Sequence, residues 1–318
     1  MSAGSSSAGR VLQLAPIGPQ ADAPLAAECG AIPLWTCDPD WIERHGHEVE
    51  VVATSVRRGC DAALVERLPA LRAICSWGVG YETIDVAAAA ARGIAVSNTP
   101  DVLDDCVADF AWGLLLATAR RIVVADRYVR EGHWTQLGGF PLSTRVSGKR
   151  LGILGLGRIG RAIARRGSGF DMEVRYHGRT AKADVPYLYE PTLRDLARWA
   201  DILIVACQGG PETSRLVDAP VMEALGPTGI LVNIGRGSVV DQDALIRALE
   251  AGLLGGVGLD VLENEPGAPE ALRQSERVVL TPHVGSATAD TRGAMERLVV
   301  DNVRAALAGK PLLTPVPA

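Results

Sequence analysis

Lysine is nearly absent from this 318-residue chain: Lys149, Lys182 and Lys310 are the only ones. The remaining cations are scattered arginines. With Lys+Arg at 32 against Asp+Glu at 37, the formal net charge is -5. No polybasic run is available to hold nucleic acid or an anionic membrane. Long apolar runs are also missing. A membrane span needs about 18 apolar residues, and the longest candidate, residues 110–119, reads as a buried helix. The polar start MSAGSSSAGR and the interruption at Pro16 leave no apolar core for a signal peptide. Residues 1–9 are therefore expected to be a disordered tail and the protein cytoplasmic. Cysteine is sparse. The six, at 29, 37, 60, 75, 106 and 207, form no CxxC pair and lie near no histidine cluster. Buried reduced thiols are expected, and no metal or redox site.

What remains is an ordinary globular composition, 47% apolar and 22% charged. The length suggests two domains. Short apolar runs alternate with amphipathic stretches, the pattern of parallel βαβ units. Before residue 100 the candidate strands are 11–14, 49–53, 71–75 and 94–96. Helices are expected at 61–68 and 84–91, with Asp61 and Asp85 as N-caps. A Pro-containing turn, NTPD at 98–101, precedes a long apolar helix read as 103–130. From residue 150 onward, strands are expected at 151–154, 173–177, 202–206, 230–234, 257–260 and 278–280. Six such strands make one doubly wound sheet. A last helix is expected at 288–307.

The first β-like run of this second half opens into Gly155-Leu156-Gly157-Arg158-Ile159-Gly160, followed by an amphipathic helix. In that context the glycines are a dinucleotide fingerprint. The first allows the tight turn, the second lets backbone approach a pyrophosphate, and the third lets helix and strand pack closely. Free N–H groups and the helix dipole hold the phosphates. About 20 residues further on, an NAD enzyme carries an acid for the ribose 2′-OH. Here the stretch VRYHGRT has none, and Glu173 lies at the wrong end of the strand. Arg179 and Thr180 stand in the loop instead, where a guanidinium suits a 2′-phosphate. NADPH is expected over NADH.

In an open α/β sheet, ligands sit beyond the carboxyl ends of the strands. Arg236 follows the expected fourth strand, Glu265 the fifth and His283 the sixth. Arginine can hold a carboxylate and polarise the adjacent carbonyl. Histidine can donate the proton that a new alkoxide needs. A carboxylate hydrogen-bonded to that histidine would favour the imidazolium. The set fits hydride transfer to a 2-oxo acid. His45, His47, His133 and His177 lack such neighbours and read as surface or packing residues.

The motifs NTPD, SGKRLGILGLGRIGRAIA, DVPY, NIGRG, GLDVLENEP and PHVGS, spread between about residues 49 and 300, resemble the D-isomer-specific 2-hydroxyacid dehydrogenase family. Within it they are most similar to hydroxyphenylpyruvate, hydroxypyruvate and glyoxylate reductases, which use NADPH. The resemblance implies two doubly wound parallel-sheet domains: a flavodoxin-like substrate domain from 1–103 and 288–318, and a Rossmann cofactor domain at 104–287, with a cleft between. It implies Arg236, Glu265 and His283 as catalytic residues. Cofactor contacts are implied at Leu156 to Ile159, at Gly178, Arg179 and Thr180, and at Cys207, Ile234 and Asp260, the last facing the nicotinamide carboxamide. Backbone N–H groups of Val79 and Gly80 would grip the substrate carboxylate, with Ser55 and Trp77 shaping the pocket. A homodimer is implied, with Trp134 reaching toward the partner. Two features depart from the pattern. Trp77 stands where relatives mostly carry a smaller residue, and Gly178 replaces a serine that often precedes the arginine. The expected reaction is reduction of glyoxylate, hydroxypyruvate, 2-ketogluconate or an arylpyruvate. The alternatives are an NAD-dependent member of other specificity or a dinucleotide-sensing, corepressor-like interaction protein. A phosphoglycerate dehydrogenase would carry the acidic selector, and a formate dehydrogenase would carry Gln rather than Glu265 beside the histidine.

Overall fold

The computed structural model describes residues 10–317, so the tail expected at 1–9 lies outside the described residues. The chain divides into two compact units. One runs to Leu103 and resumes at Ala287; the other is Asp104–Ser286.

The discontinuous unit holds five parallel strands: β1 (Val11–Gln13), β2 (Ile32–Pro33), β3 (Val51–Ser55), β4 (Ala73–Trp77) and β5 (Ala95–Ser97), in the order β2-β1-β3-β4-β5. β1, β3 and most of β4 are buried throughout, as parallel strands covered on both faces must be. One face packs the helices Pro19–Cys29 and Ala289–Leu307 through Leu25, Val299 and Val303; the other packs Leu64, Leu68 and Ile74. The expected caps at Asp61 and Asp85 are present, and the structure adds one at Thr288. Asp61 accepts from the Leu64 amide and Asp85 from the Ala88 amide, both at 2.8 Å, and Thr288 accepts from the Thr291 amide. Each is worth about 1 kcal/mol. β2 is absent from the sequence reading, because two residues of strand ending in proline carry no alternation to read.

The other unit holds β6 (Arg150–Leu154), β7 (Glu173–His177), β8 (Leu188–Tyr189), β9 (Ile202–Val205), β10 (Ile230–Asn233), β11 (Gly256–Leu259) and β12 (Val278–Leu280). All pair in parallel, in the order β12-β11-β10-β9-β6-β7-β8. The chain order reverses beside β6, between β7 and β9, which makes the end of β6 the switch point where ligands bind such sheets. This sheet has seven strands rather than the expected six. The addition, β8, is a two-residue edge beside β7.

The helix expected at 103–130 is two helices, Asp104–Ala119 and Ile122–Arg130. Arg121 breaks it with φ 53°, its side chain paired with Glu276 at 2.7 Å and lying over the Phe140 ring. Neither glycine nor proline marks the break, so local sequence carries no signal for it. The first helix is anchored: the Trp112 indole donates to the Ile163 carbonyl at 3.1 Å and stacks on Phe170. The second buries no residue.

Candidate functional site

The glycine segment joins β6 to the helix Arg158–Gly167. Gly155 has φ 95°, and a Cβ on Gly160 would lie 2.1 Å from the Gly155 carbonyl oxygen. Any side chain at Gly160 would force helix and turn apart. A Cβ on Gly157 would meet nothing within 4 Å, and no side chain caps the helix start. This open approach to uncapped N–H groups is what a pyrophosphate requires. Cys207 backs the turn: a Cβ on Gly155 would meet the Cys207 amide nitrogen at 2.7 Å, and one on Gly235 the Cys207 carbonyl at 2.6 Å. Burial pushes the Cys207 thiol up to about 11, so it stays neutral here. The ends of β6, β9 and β10 thus converge, with Ile234 buried among them. These residues fit a dinucleotide.

At the end of β7, Gly178 is half-buried, while Arg179 and Thr180 are exposed. The strand's acid, Glu173, is committed to Arg175 at 2.9 Å, and Arg175 also holds Glu190 at 2.8 Å. No carboxylate of β7 is left to bind a ribose. His177 is tied to the Glu190 carbonyl at 2.8 Å and stacked on Tyr189.

Three loops follow β10, β11 and β12. In the first, buried Asn233 accepts from the Gly235 amide at 3.0 Å and donates to the Arg236 carbonyl at 2.9 Å. Arg236 Nη1 donates to the Gly235 carbonyl at 2.8 Å. A Cβ on Gly237 would lie 1.9 Å from the Leu262 carbonyl carbon, so the Arg236 loop sits directly against the loop after β11. In that second loop, Glu265 accepts from the Leu262 amide at 3.1 Å through Oε1. Its Oε2 lies 2.8 Å from His283 Nδ1. His283 adopts φ 55°, a left-handed conformation that costs a non-glycine residue of order 1 kcal/mol. Asp260 holds it there. Only 3% exposed, its carboxylate accepts from the Thr281 hydroxyl (2.7 Å) and the Val284 (2.9 Å) and Gly285 (2.8 Å) amides, while its carbonyl accepts from the His283 amide at 2.8 Å. Both Asp260 carboxylate oxygens thus accept from the histidine loop. Sequence reading missed this clamp, because an aspartate after a strand has many uses.

In the residues 112–285 this chain matches the family model described as D-isomer specific 2-hydroxyacid dehydrogenase, NAD binding domain. The chain belongs to that family. Glyoxylate/hydroxypyruvate reductase A of Arabidopsis thaliana is 48% identical over 308 residues, covering 96% of this chain and 98% of that protein. Hydroxyphenylpyruvate reductase of Plectranthus scutellarioides is 45% identical with the same coverage. The crystal structure of NADPH-dependent glyoxylate/hydroxypyruvate reductase from Sinorhizobium meliloti, in complex with NADP and malonate, superposes with a TM-score of 0.89 at 43% identity, covering 96% of each chain. As a member of the family the chain is an oxidoreductase with a nicotinamide dinucleotide cofactor.

In the other unit, Ser55 ends β3 and is paired in register with Trp77 at the end of β4. The Trp77 ring lies under the Arg292 guanidinium, 4.6 Å from its centroid. The next residues, Gly78 to Gly80, form a loop. The Val79 and Gly80 amides have no acceptor among the described residues, and Gly80 is buried. A buried unpaired N–H is costly unless a ligand uses it.

Proposed function

We propose that this protein reduces a 2-oxo acid to the D-2-hydroxy acid with NADPH. The observation that carries the reading is the 2.8 Å contact between His283 Nδ1 and Glu265, in a loop held by Asp260 at the end of a dinucleotide-binding sheet. A carboxylate on Nδ1 fixes the tautomer, leaving Nε2–H to donate to the substrate carbonyl oxygen. Arg236 polarises the substrate carbonyl. The Val79 and Gly80 amides, which have no acceptor among the described residues, are donors suited to a substrate carboxylate. Leu156 to Ile159, Cys207 and Ile234 line the dinucleotide, which when bound supplies the hydride. Arg179 and Thr180 take its 2′-phosphate, because no carboxylate stands at the end of β7 to repel it. The names of the relatives point to glyoxylate, hydroxypyruvate or an arylpyruvate as substrate, and 2-ketogluconate belongs to the same chemical class.

The same reading makes the protein a homodimer. Ile122, Val129 and Trp134 are about half exposed, and Leu142 is 98% exposed, along the second helix and the arm after it. Such an apolar strip is what a second copy would cover. Six free cysteines suit a reducing compartment, and we assign the protein to the cytoplasm. Among the described residues no helix is long and apolar enough to cross a membrane, and no residue cluster could hold a metal ion. The deciding experiment follows NADPH and NADH oxidation with a panel of these acids. NADPH-dependent turnover of at least one is expected, falling about 10²–10⁴-fold in His283→Ala. A folded wild-type protein inert to the whole panel overturns the reading.

A further inference from the structure

The loop Gly78–Gly80 has no regular structure of its own to hold it. Two residues after β5 do so instead. Thr99, fully buried, accepts from the Gly78 amide through Oγ1 at 3.0 Å, and its own amide donates to the Gly78 carbonyl at 2.9 Å. Asn98, 8% exposed, donates through Nδ2 to the Val79 carbonyl at 2.7 Å. Gly78 has φ 123°, a backbone setting open to glycine and strained for other residues. Within the loop, every polar group the clamp engages belongs to Gly78 or is the Val79 carbonyl. The Val79 and Gly80 amides are thereby left over as donors.

The clamp is itself braced from the far end of the chain. The Thr314 hydroxyl donates to the Asn98 carbonyl at 2.6 Å, and the Asn98 amide donates to the Thr314 carbonyl at 3.3 Å. Thr314 in turn accepts from Asn302 Nδ2 at 3.1 Å, while Asn302 Oδ1 accepts from the Leu313 amide at 2.9 Å. Asn302 is fully buried on the helix Ala289–Leu307. Ser97 pairs with Pro315 and the Val316 amide with the Val96 carbonyl, so this segment lies along the edge of β5. The hydrogen bonds run unbroken from Asn302 through Thr314 and Asn98 to Val79.

We propose that Asn98 and Thr99 are positioning residues that set the two free amides for a substrate carboxylate, and that Thr314 and Asn302 brace them. The proposal rests on the carboxylate-binding role given to Val79 and Gly80 above. A misaligned pair of donors weakens capture of the carboxylate and leaves proton delivery at His283 intact. In Thr99→Val the KM for glyoxylate is therefore expected to rise roughly tenfold, with kcat and the Kd for NADPH within about twofold. Thr99→Ser, which keeps the oxygen, is expected to restore the KM. Thr314→Val should raise KM in the same direction by a smaller factor. Should Thr99→Val fail to fold, Asn98→Asp carries the same expectation, since it sets a carboxylate against the Val79 carbonyl. Malonate binding to the NADPH-saturated protein, measured by calorimetry, gives a readout free of turnover. Binding by the wild type that weakens in Thr99→Val supports the proposal even if glyoxylate is not reduced, an outcome that would count only against the reductase reading. A folded Thr99→Val with unchanged KM and malonate affinity overturns it. So does a loss confined to kcat, a Thr99→Ser variant that fails to recover, or a wild-type protein that binds no malonate.

Discussion

In the unit Asp104–Ser286, the groups assigned to chemistry are side chains, Arg236, Glu265 and His283, each carried on a loop after its own strand. In the discontinuous unit they are backbone amides, and the side chains beside them, Asn98 and Thr99, bond the backbone of the same loop. The triad side chains of Glu265 and His283 are about one-third exposed, whereas Thr99 is fully buried. A group that must exchange protons with a substrate has to reach solvent-accessible space. A group that only aims an amide is better buried, where water does not compete for its hydrogen bonds. One unit therefore responds to substitution at the reacting atoms, the other only through its scaffold.

The largest expected effect sharpens that contrast. Arg236→Lys keeps the charge and loses the planar fork, so kcat/KM for any accepted 2-oxo acid is expected to fall about 10²–10³-fold. If Thr99→Val costs more than this under the same assay, the contrast between the units fails. Next is Asp260→Asn, which places an NH2 group among donors that now share a carboxylate. Leaving a buried amide unpaired costs about 1–3 kcal/mol. A lower melting temperature and a kcat reduced roughly tenfold are expected, with the Kd for NADPH little changed, because the carboxylate serves the His283 loop. A raised Kd with normal kcat would instead support the cofactor contact that the family resemblance implies for Asp260. Arg179→Ala comes third: KM for NADPH is expected to rise about tenfold and that for NADH to stay, the signature of a lost phosphate contact. Equal changes for both cofactors would argue against NADPH selection. The smallest effect is expected at Asp184 in the DVPY motif. It pairs with Arg161 at 2.9 Å, and its side chain is 70% exposed, so the ion pair is screened. Asp184→Ala should leave melting temperature and kcat unchanged within error.

Strands buried on both faces announce themselves as aliphatic runs, and β3, β4, β6, β9 and β10 were legible for that reason. The caps Asp61 and Asp85 were legible because a side chain bonding an amide three residues on is a local event. The two-residue edges β2 and β8 were not, since their pairing is imposed by the neighbouring strand. Nor was the break at Arg121, which depends on Glu276, 155 positions away. The NTPD segment shows the divide most clearly. Sequence identified it as a turn, and nothing within it discloses that Asn98 reaches back to Val79 or forward to Thr314.

From the order of residues alone came the parallel α/β architecture, the glycine turn for a dinucleotide, the missing acid after β7, and the three side chains at successive strand ends. These are properties of spacing and residue type over one or two elements, and short-range sterics and hydrogen bonding decide them. Only the folded chain decided that Glu265 meets His283, that Gly237 seats one loop on another, that Asp260 holds a histidine in a left-handed turn, and that the segment at 314 braces the amides at 79 and 80. Each joins residues far apart along the chain, and the pairing and packing of elements within each unit is what brings the two ends of that contact together.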